Sequence, residues 1–261
     1  MTLRSYLGST LAFALVAGPI RAQQAPRAVV VARVDSLAAD FISKTHTPAV
    51  SVAVLRGSDT LVMKGYGDAS VDPRREASAS TVYRIGSITK QFTSAAIMRL
   101  VERGKLSLDD PMSKYLPDVP AHGRTVTIRQ LLNHTSGIHS YTSEPEWRKR
   151  WADDLTPRQI VAFVDNDTLD FSPGTGWLYN NTGYVLLGMI VEKITGEPYA
   201  TYLQHDLFTP LGLRQTSYCP TRPTDPSFAA GYSSAGGTVK PAEFLSMTQP
   251  FSAGALCSTV R

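Results

Sequence analysis

Residues 83–104 read YRIGSITKQFTSAAIMRLVERG, and the organisation of the chain follows from this stretch. Gly86 frees a turn, the body is densely apolar, and Arg99, Arg103 and Gly104 form a cationic, glycine-terminated end. These are the start and stop marks of a helix, with Ser87 at its beginning. Residues three apart share a helix face, so the Lys90 amine comes within reach of the Ser87 hydroxyl. A hydroxyl needs such a partner to become a nucleophile. The competing reading makes Ser87 a helix cap, a common role for serine, and Lys90 a solvated surface lysine. The second half of that reading fits poorly, because Lys90 lies between Ile88 and Phe92 on a helix that is apolar nearly all round.

A second helix opens after Tyr179-Asn180-Asn181 and ends at Gly196 before Pro198. Taken alone, Tyr179 reads equally as a half-buried core aromatic or a proton-handling phenol, and Asn181 as a cap or an amide turned toward a polar site. Spacing must be weighed against chance. With 24 Ser and 8 Lys in 261 residues, Ser-x-x-Lys arises at random nearly once and carries nothing by itself. Tyr-x-Asn is several-fold rarer, given 11 Tyr and 4 Asn. Its place at a loop-to-helix junction after Ser-x-x-Lys makes the pair a candidate acyl-transfer site.

Longer wording adds to this. GSITKQFTSAAIMRLVERGKLSLDDPMSKYLP at 86–117, LLNHTSGI at 131–138, YNNTGYVLLGMIVEKITG at 179–196 and LFTPLGLRQT at 207–216 resemble the serine beta-lactamase and penicillin-binding-protein superfamily, in its class C-like serine hydrolase and esterase branch, from about residue 45 onward. The resemblance implies an α/β (α+β) architecture of two lobes, with an all-α lobe inserted in an antiparallel sheet lobe. It implies that Ser87 attacks a carbonyl to form an acyl-enzyme, that Lys90 takes or relays the serine proton, that Tyr179 passes a proton to the leaving group, and that Asn181 orients lysine and substrate. It calls for no metal and no cofactor. The substrate would be a small molecule or peptide: an ester, a D-amino-acid peptide or a beta-lactam, with ester and peptide placed first on the HTSGI and PLGL wording. His134 would fix the loop leading to the site.

One departure stands out. The family's third motif, Lys-Thr-Gly or a His-x-Gly equivalent on an edge strand, has no match between Asn181 and Arg261. The resemblance assigns to that strand one of the two backbone donors for the developing oxyanion, the other being the Ser87 amide, and loss of one such donor costs about a hundred- to a thousandfold in rate. The expectation is therefore a chain without the last strands and C-terminal helix of the fold. A second functional reading accompanies the hydrolase: a catalytically incompetent homologue or acyl-binding fragment.

At the N-terminus, Arg4, the apolar run of 11–20 and Ile20-Arg21-Ala22 read as a secretory signal peptide over residues 1–22. The run is too short to span a bilayer, which takes about twenty residues, and no later segment replaces it, so a periplasmic or secreted product without a membrane span is expected. Cleavage leaves 24 Lys and Arg against 22 Asp and Glu. The basic residues are scattered, without a cluster interleaved with aromatics, so the pI of 9.1 gives no nucleic-acid surface. The five histidines, His46, His122, His134, His139 and His205, show no metal-ligand spacing, and no G-x-S-x-G elbow occurs. Cys219 and Cys257 are either bridged, as export permits, or two buried thiols.

The remaining chain, 23–261, is expected to form one hydrolase domain. Residues 23–80 would begin the sheet lobe with a helix over 29–43 and a hairpin whose Val50, Val52 and Val54 alternate toward a core. Residues 81–215 would form the α lobe, and 216–261 a partial return to the sheet, with short strands at 228–232 and 237–239. Tryptophans 147, 151 and 177 are expected in the core first, with the lining of a substrate cleft as the alternative.

Overall fold

The computed structural model describes residues 24–118, 123–165, 168–235 and 237–261. The signal-peptide assignment and His122 lie outside them. Helix α1 (Arg27–Thr45) precedes an antiparallel hairpin of β1 (Ala49–Arg56) and β2 (Asp59–Val71). Asp35 on α1 accepts from Lys64 Nζ at 2.9 Å and Tyr66 OH at 2.7 Å on β2, which seats the helix on the sheet. The valine alternation of β1 does not reach a buried core. Val50, Val52 and Val54 are half-buried, and so are Ser51 and Ala53 between them, because β1 has a ladder partner on one side only among the described residues. β2 continues to Val71 and pairs with β3 (Arg74–Glu76).

The helix expected to open at Ser87 does so through a short turn. Tyr83–Arg84 form strand β4, drawn into a sheet by a segment more than 170 residues away, and Gly86–Ile88 make a 3-10 turn that leads into α2 (Thr89–Glu102). The α lobe continues with α3 (Ile128–Leu132), α4 (Pro145–Arg150), α5 (Pro157–Val161), α6 (Asn181–Thr195) and α7 (Tyr199–Leu203), which runs into a π-helical turn, Gln204–Phe208. Its core is apolar: Ile97 and Leu100 of α2 share one buried cluster with Leu131, Ile160, Leu187 and Ile190. Arg99, at 2.7 Å, and Arg103 both bond Asp206, tying α2 to the π turn.

The chain returns through β5 (Ser217–Tyr218), a small hairpin of β6 (Tyr232–Ala235) and β7 (Thr238–Pro241), a one-turn helix α8 (Phe251–Gly254) and β8 (Leu256–Ser258). Strand β8 lies between β4 and β5. The two cysteines are bridged, Cys219 to Cys257 across a sequence separation of 38, and lie buried with Met247 and Ala255. A helical lobe and open antiparallel sheets thus share one body, as the α+β expectation has it. Among the described residues no helix is long and apolar enough to cross a membrane.

Candidate active site

Gly86 occupies the left-handed region, φ +53°, a conformation that costs glycine little. This bend turns the chain from β4 into α2 and leaves Ser87 exposed at the corner. One turn on, Lys90 is 7% exposed. Its Nζ donates to Asn181 Oδ1 at 2.8 Å, to the main-chain oxygen of Ala253 at 2.8 Å and to Ser87 Oγ at 3.4 Å. Tyr179 OH donates to Ser87 Oγ at 2.7 Å. The four side chains singled out in the sequence, Ser87, Lys90, Tyr179 and Asn181, therefore meet at one point.

Burial sets the chemistry of the amine. Desolvation brings Lys90 from 10.5 to about 8, so about a tenth of the amine is neutral at pH 7, far more than for an ordinary lysine. Its Nζ also lies 4.7 Å from the Tyr179 ring centre and 5.3 Å from that of Tyr184, contacts that favour the cation. A group balanced between its charged and neutral forms can take the serine proton and return it.

The supporting shell accounts for the alignment. Asn180, not Asn181, caps α6: its Oδ1 accepts from the Gly183 amide at 2.6 Å, and its Nδ2 donates to Ile138 O. Asn181 is the first helical residue and is free to aim at Lys90, while its Nδ2 donates to Thr142 Oγ1 at 3.1 Å and its amide to Ser140 Oγ at 3.2 Å. His134, at φ +64°, stacks between Tyr179 and Tyr184, with ring centres 4.7 and 5.2 Å away. Its Nδ1 accepts from the Asn180 amide at 3.1 Å. Burial first, then the charge of Lys90, holds its pKa below the ordinary histidine value, which suits a neutral acceptor. Above the amine, α8 is clamped by Ser252 Oγ donating to Tyr184 O at 2.8 Å and by Thr93 Oγ1 donating to Ser252 O at 2.6 Å.

This geometry has a family. A sequence profile of the Beta-lactamase family matches residues 34–261. The chain belongs to the Beta-lactamase family. Protein flp of Staphylococcus aureus is 33% identical over 216 residues, covering 79% of this chain and 42% of that protein. Among solved structures, the octameric penicillin-binding protein homologue from Pyrococcus abyssi shares 33% identity with a TM-score of 0.76, over 88% of this chain and 54% of its own. The D-amino acid amidase from Ochrobactrum anthropi SV3 shares 30% identity with a TM-score of 0.77, over 88% and 67%. The chain thus spans less than half the length of protein flp.

In this Beta-lactamase family chain Ser87 opens onto a cleft of about 260 Å³ whose wall is built by Trp147, Leu245, Met247 and Pro250, with Thr142 and Arg84 on its lining. Trp147 both packs against the core and takes the cleft position, and Trp177 departs from the core expectation. Trp147 donates from Nε1 to Gln249 Oε1 at 2.9 Å, and Trp177 is 65% exposed, meeting His134 edge-on. Sequence reasoning also passed over Thr142, Ser140, Tyr184 and the Ala253 oxygen. The first three are ordinary residue types without a spacing signature; a main-chain oxygen has no signature at all.

Proposed function

We propose that this chain is an exported serine hydrolase that works through an acyl-enzyme on Ser87, with esters and D-amino-acid amides or peptides as its substrates ahead of beta-lactams. The observation that carries the reading is the convergence on one oxygen: Ser87 Oγ accepts from Tyr179 OH at 2.7 Å and from Lys90 Nζ, whose pKa burial brings down to about 8, at 3.4 Å. The amine takes the hydroxyl proton as Oγ attacks the carbonyl. The phenol, 2.7 Å from that oxygen, is placed to hand a proton to the leaving group, and water later releases the acyl group. Similarity to a D-amino acid amidase at 30% identity supports the amide part of the substrate range. Export rests on the N-terminal leader reading, and the periplasm or the medium is the proposed location.

The test is turnover of p-nitrophenyl acetate, D-phenylalanine amide and a chromogenic cephalosporin by purified protein beside Ser87→Ala. Serine-dependent multiple turnover of the ester or amide, faster than of the cephalosporin, is expected. A single stoichiometric acylation without turnover would overturn the hydrolase and leave an acyl-binding protein. Cell fractionation with N-terminal sequencing checks export, the mature chain starting near Gln23.

A further inference from the structure

Arg84 is the one charged side chain among the described residues lining the cleft beside Ser87. Arg27, Arg56 and Arg75 bond main-chain oxygens away from this cleft, whereas Arg74 meets Asp68, Arg129 meets Asp109, and Arg99 and Arg103 share Asp206. Arg84 hydrogen-bonds instead to two neutral main-chain oxygens, Leu245 O at 3.3 Å and Thr221 O at 3.4 Å, both long for N–H···O bonds. Glu243 borders the adjoining hollow that Arg84 also touches, yet no ion pair joins them. Burial lowers the guanidinium pKa from its ordinary value, yet the side chain stays cationic and open to solvent at the cleft, with no anion opposite it.

Position makes this useful. Arg84 and Ser87 are three residues apart, so their Cα atoms lie within about 11 Å even along an extended chain. The left-handed bend at Gly86 shortens that path. A carboxylate a few bonds from the carbonyl that Ser87 attacks falls within the reach of a guanidinium, which binds carboxylates in a two-point fork. Leu245 and Met247 line the same cleft and suit a short apolar linker.

We propose that Arg84 is a specificity determinant of this cleft, anchoring a carboxylate carried by the substrate while an apolar linker lies along Leu245 and Met247. The inference rests on the hydrolase reading of Ser87 for its catalytic consequence, but not for binding. Three esters separate the cases: p-nitrophenyl acetate is neutral, p-nitrophenyl hydrogen glutarate carries its carboxylate on the acyl side, and 4-acetoxybenzoate carries it on the leaving group. Wild type is expected to prefer one of the two anionic esters over acetate in kcat/KM. Arg84→Gln should reduce that preference by about 10- to 100-fold while Arg84→Lys restores part of it. Absence of a preference in wild type, or an equal loss on all three esters in Arg84→Gln, overturns the proposal and leaves Arg84 a strut between Leu245 and Thr221.

A binding arm needs neither turnover nor an Arg84 variant that folds. Calorimetry on Ser87→Ala should show monomethyl glutarate binding at least about tenfold tighter than dimethyl glutarate. Equal affinities sink the inference. If wild type turns over no ester and Ser87→Ala still selects the monoanion, the hydrolase reading falls and the anion site stands.

Discussion

At the scale of single residues, the proposed mechanism divides its labour between an exposed phenol and a buried amine. Tyr179 is 41% exposed, and its hydroxyl bonds Ser87. Tyr179→Phe should therefore lower the acylation rate by about 10²- to 10⁴-fold with little change in melting temperature; a large drop in stability with activity preserved would reverse its role. Lys90 behaves differently. Its folded pKa, about 8 against 10.5, means that between these values the native state binds fewer protons than the unfolded chain, so stability rises with pH across that window. Denaturant midpoints at pH 8 and pH 10 should show this slope, and Lys90→Met should flatten it. In the same range kcat/KM should climb through about pH 8 as the amine loses its proton, and a pH-independent profile would remove lysine as the base. All four proposed residues were legible because each is a side-chain identity at a fixed offset from another. Arg84 was not. Its meaning lies in the carboxylate it does not face, and sequence spacing records neighbours along the chain only.

Among the elements, legibility followed length and locality. Helices α1, α2 and α6 and the β1–β2 hairpin carry enough apolar periodicity to be read directly. Strands β3, β4, β5 and β8 are two or three residues each, too short for a period, and β4 and β5 form by pairing with β8 far along the chain. The contact of α6 with α8 is likewise invisible locally, yet it positions the lysine's acceptor. A Cβ on Gly188 would meet Ser252 Oγ at 2.1 Å, so the two helices approach this closely only with glycine there. Gly188→Ala should destabilise the fold by about 1–3 kcal/mol in urea denaturation and also depress serine-dependent turnover, since Ser252 precedes Ala253. Loss of stability with the activity of the remaining folded protein unchanged would show that α8 tolerates displacement. Asn180→Ala, which removes the α6 cap and the bond to Ile138 O, should cost about 0.5–2 kcal/mol, measured in the same way.

Over the whole molecule, the disulfide joins β8 to the end of β5 and closes the segment of 219–257, which contains the cleft wall at Leu245, Met247 and Pro250 and the oxygen of Ala253. Cys219→Ala with Cys257→Ala should lower stability by about 2–4 kcal/mol, read as a guanidinium midpoint compared with the parent; an unchanged midpoint would mean that packing alone holds the segment. Pairing of the cysteines was open in the sequence because two loop cysteines carry no record of distance. Fold class was legible through runs of wording spread along the chain, which periodicity alone would have left as helices beside an unfinished sheet. The β1 edge shows the limit of both: Val50, Val52 and Val54 have the pattern of a core face, but burial is set by what covers a strand.

Lys90 takes one of its three partners from a peptide oxygen, that of Ala253. No exchange of side chain deletes that partner, so position 253 can drift between lineages, within the volume its burial admits, while the electrostatic lodging of the ammonium persists. Inheritance is constrained there by the course of the backbone, and a comparison of orthologues should find the turn retained where the letter is not.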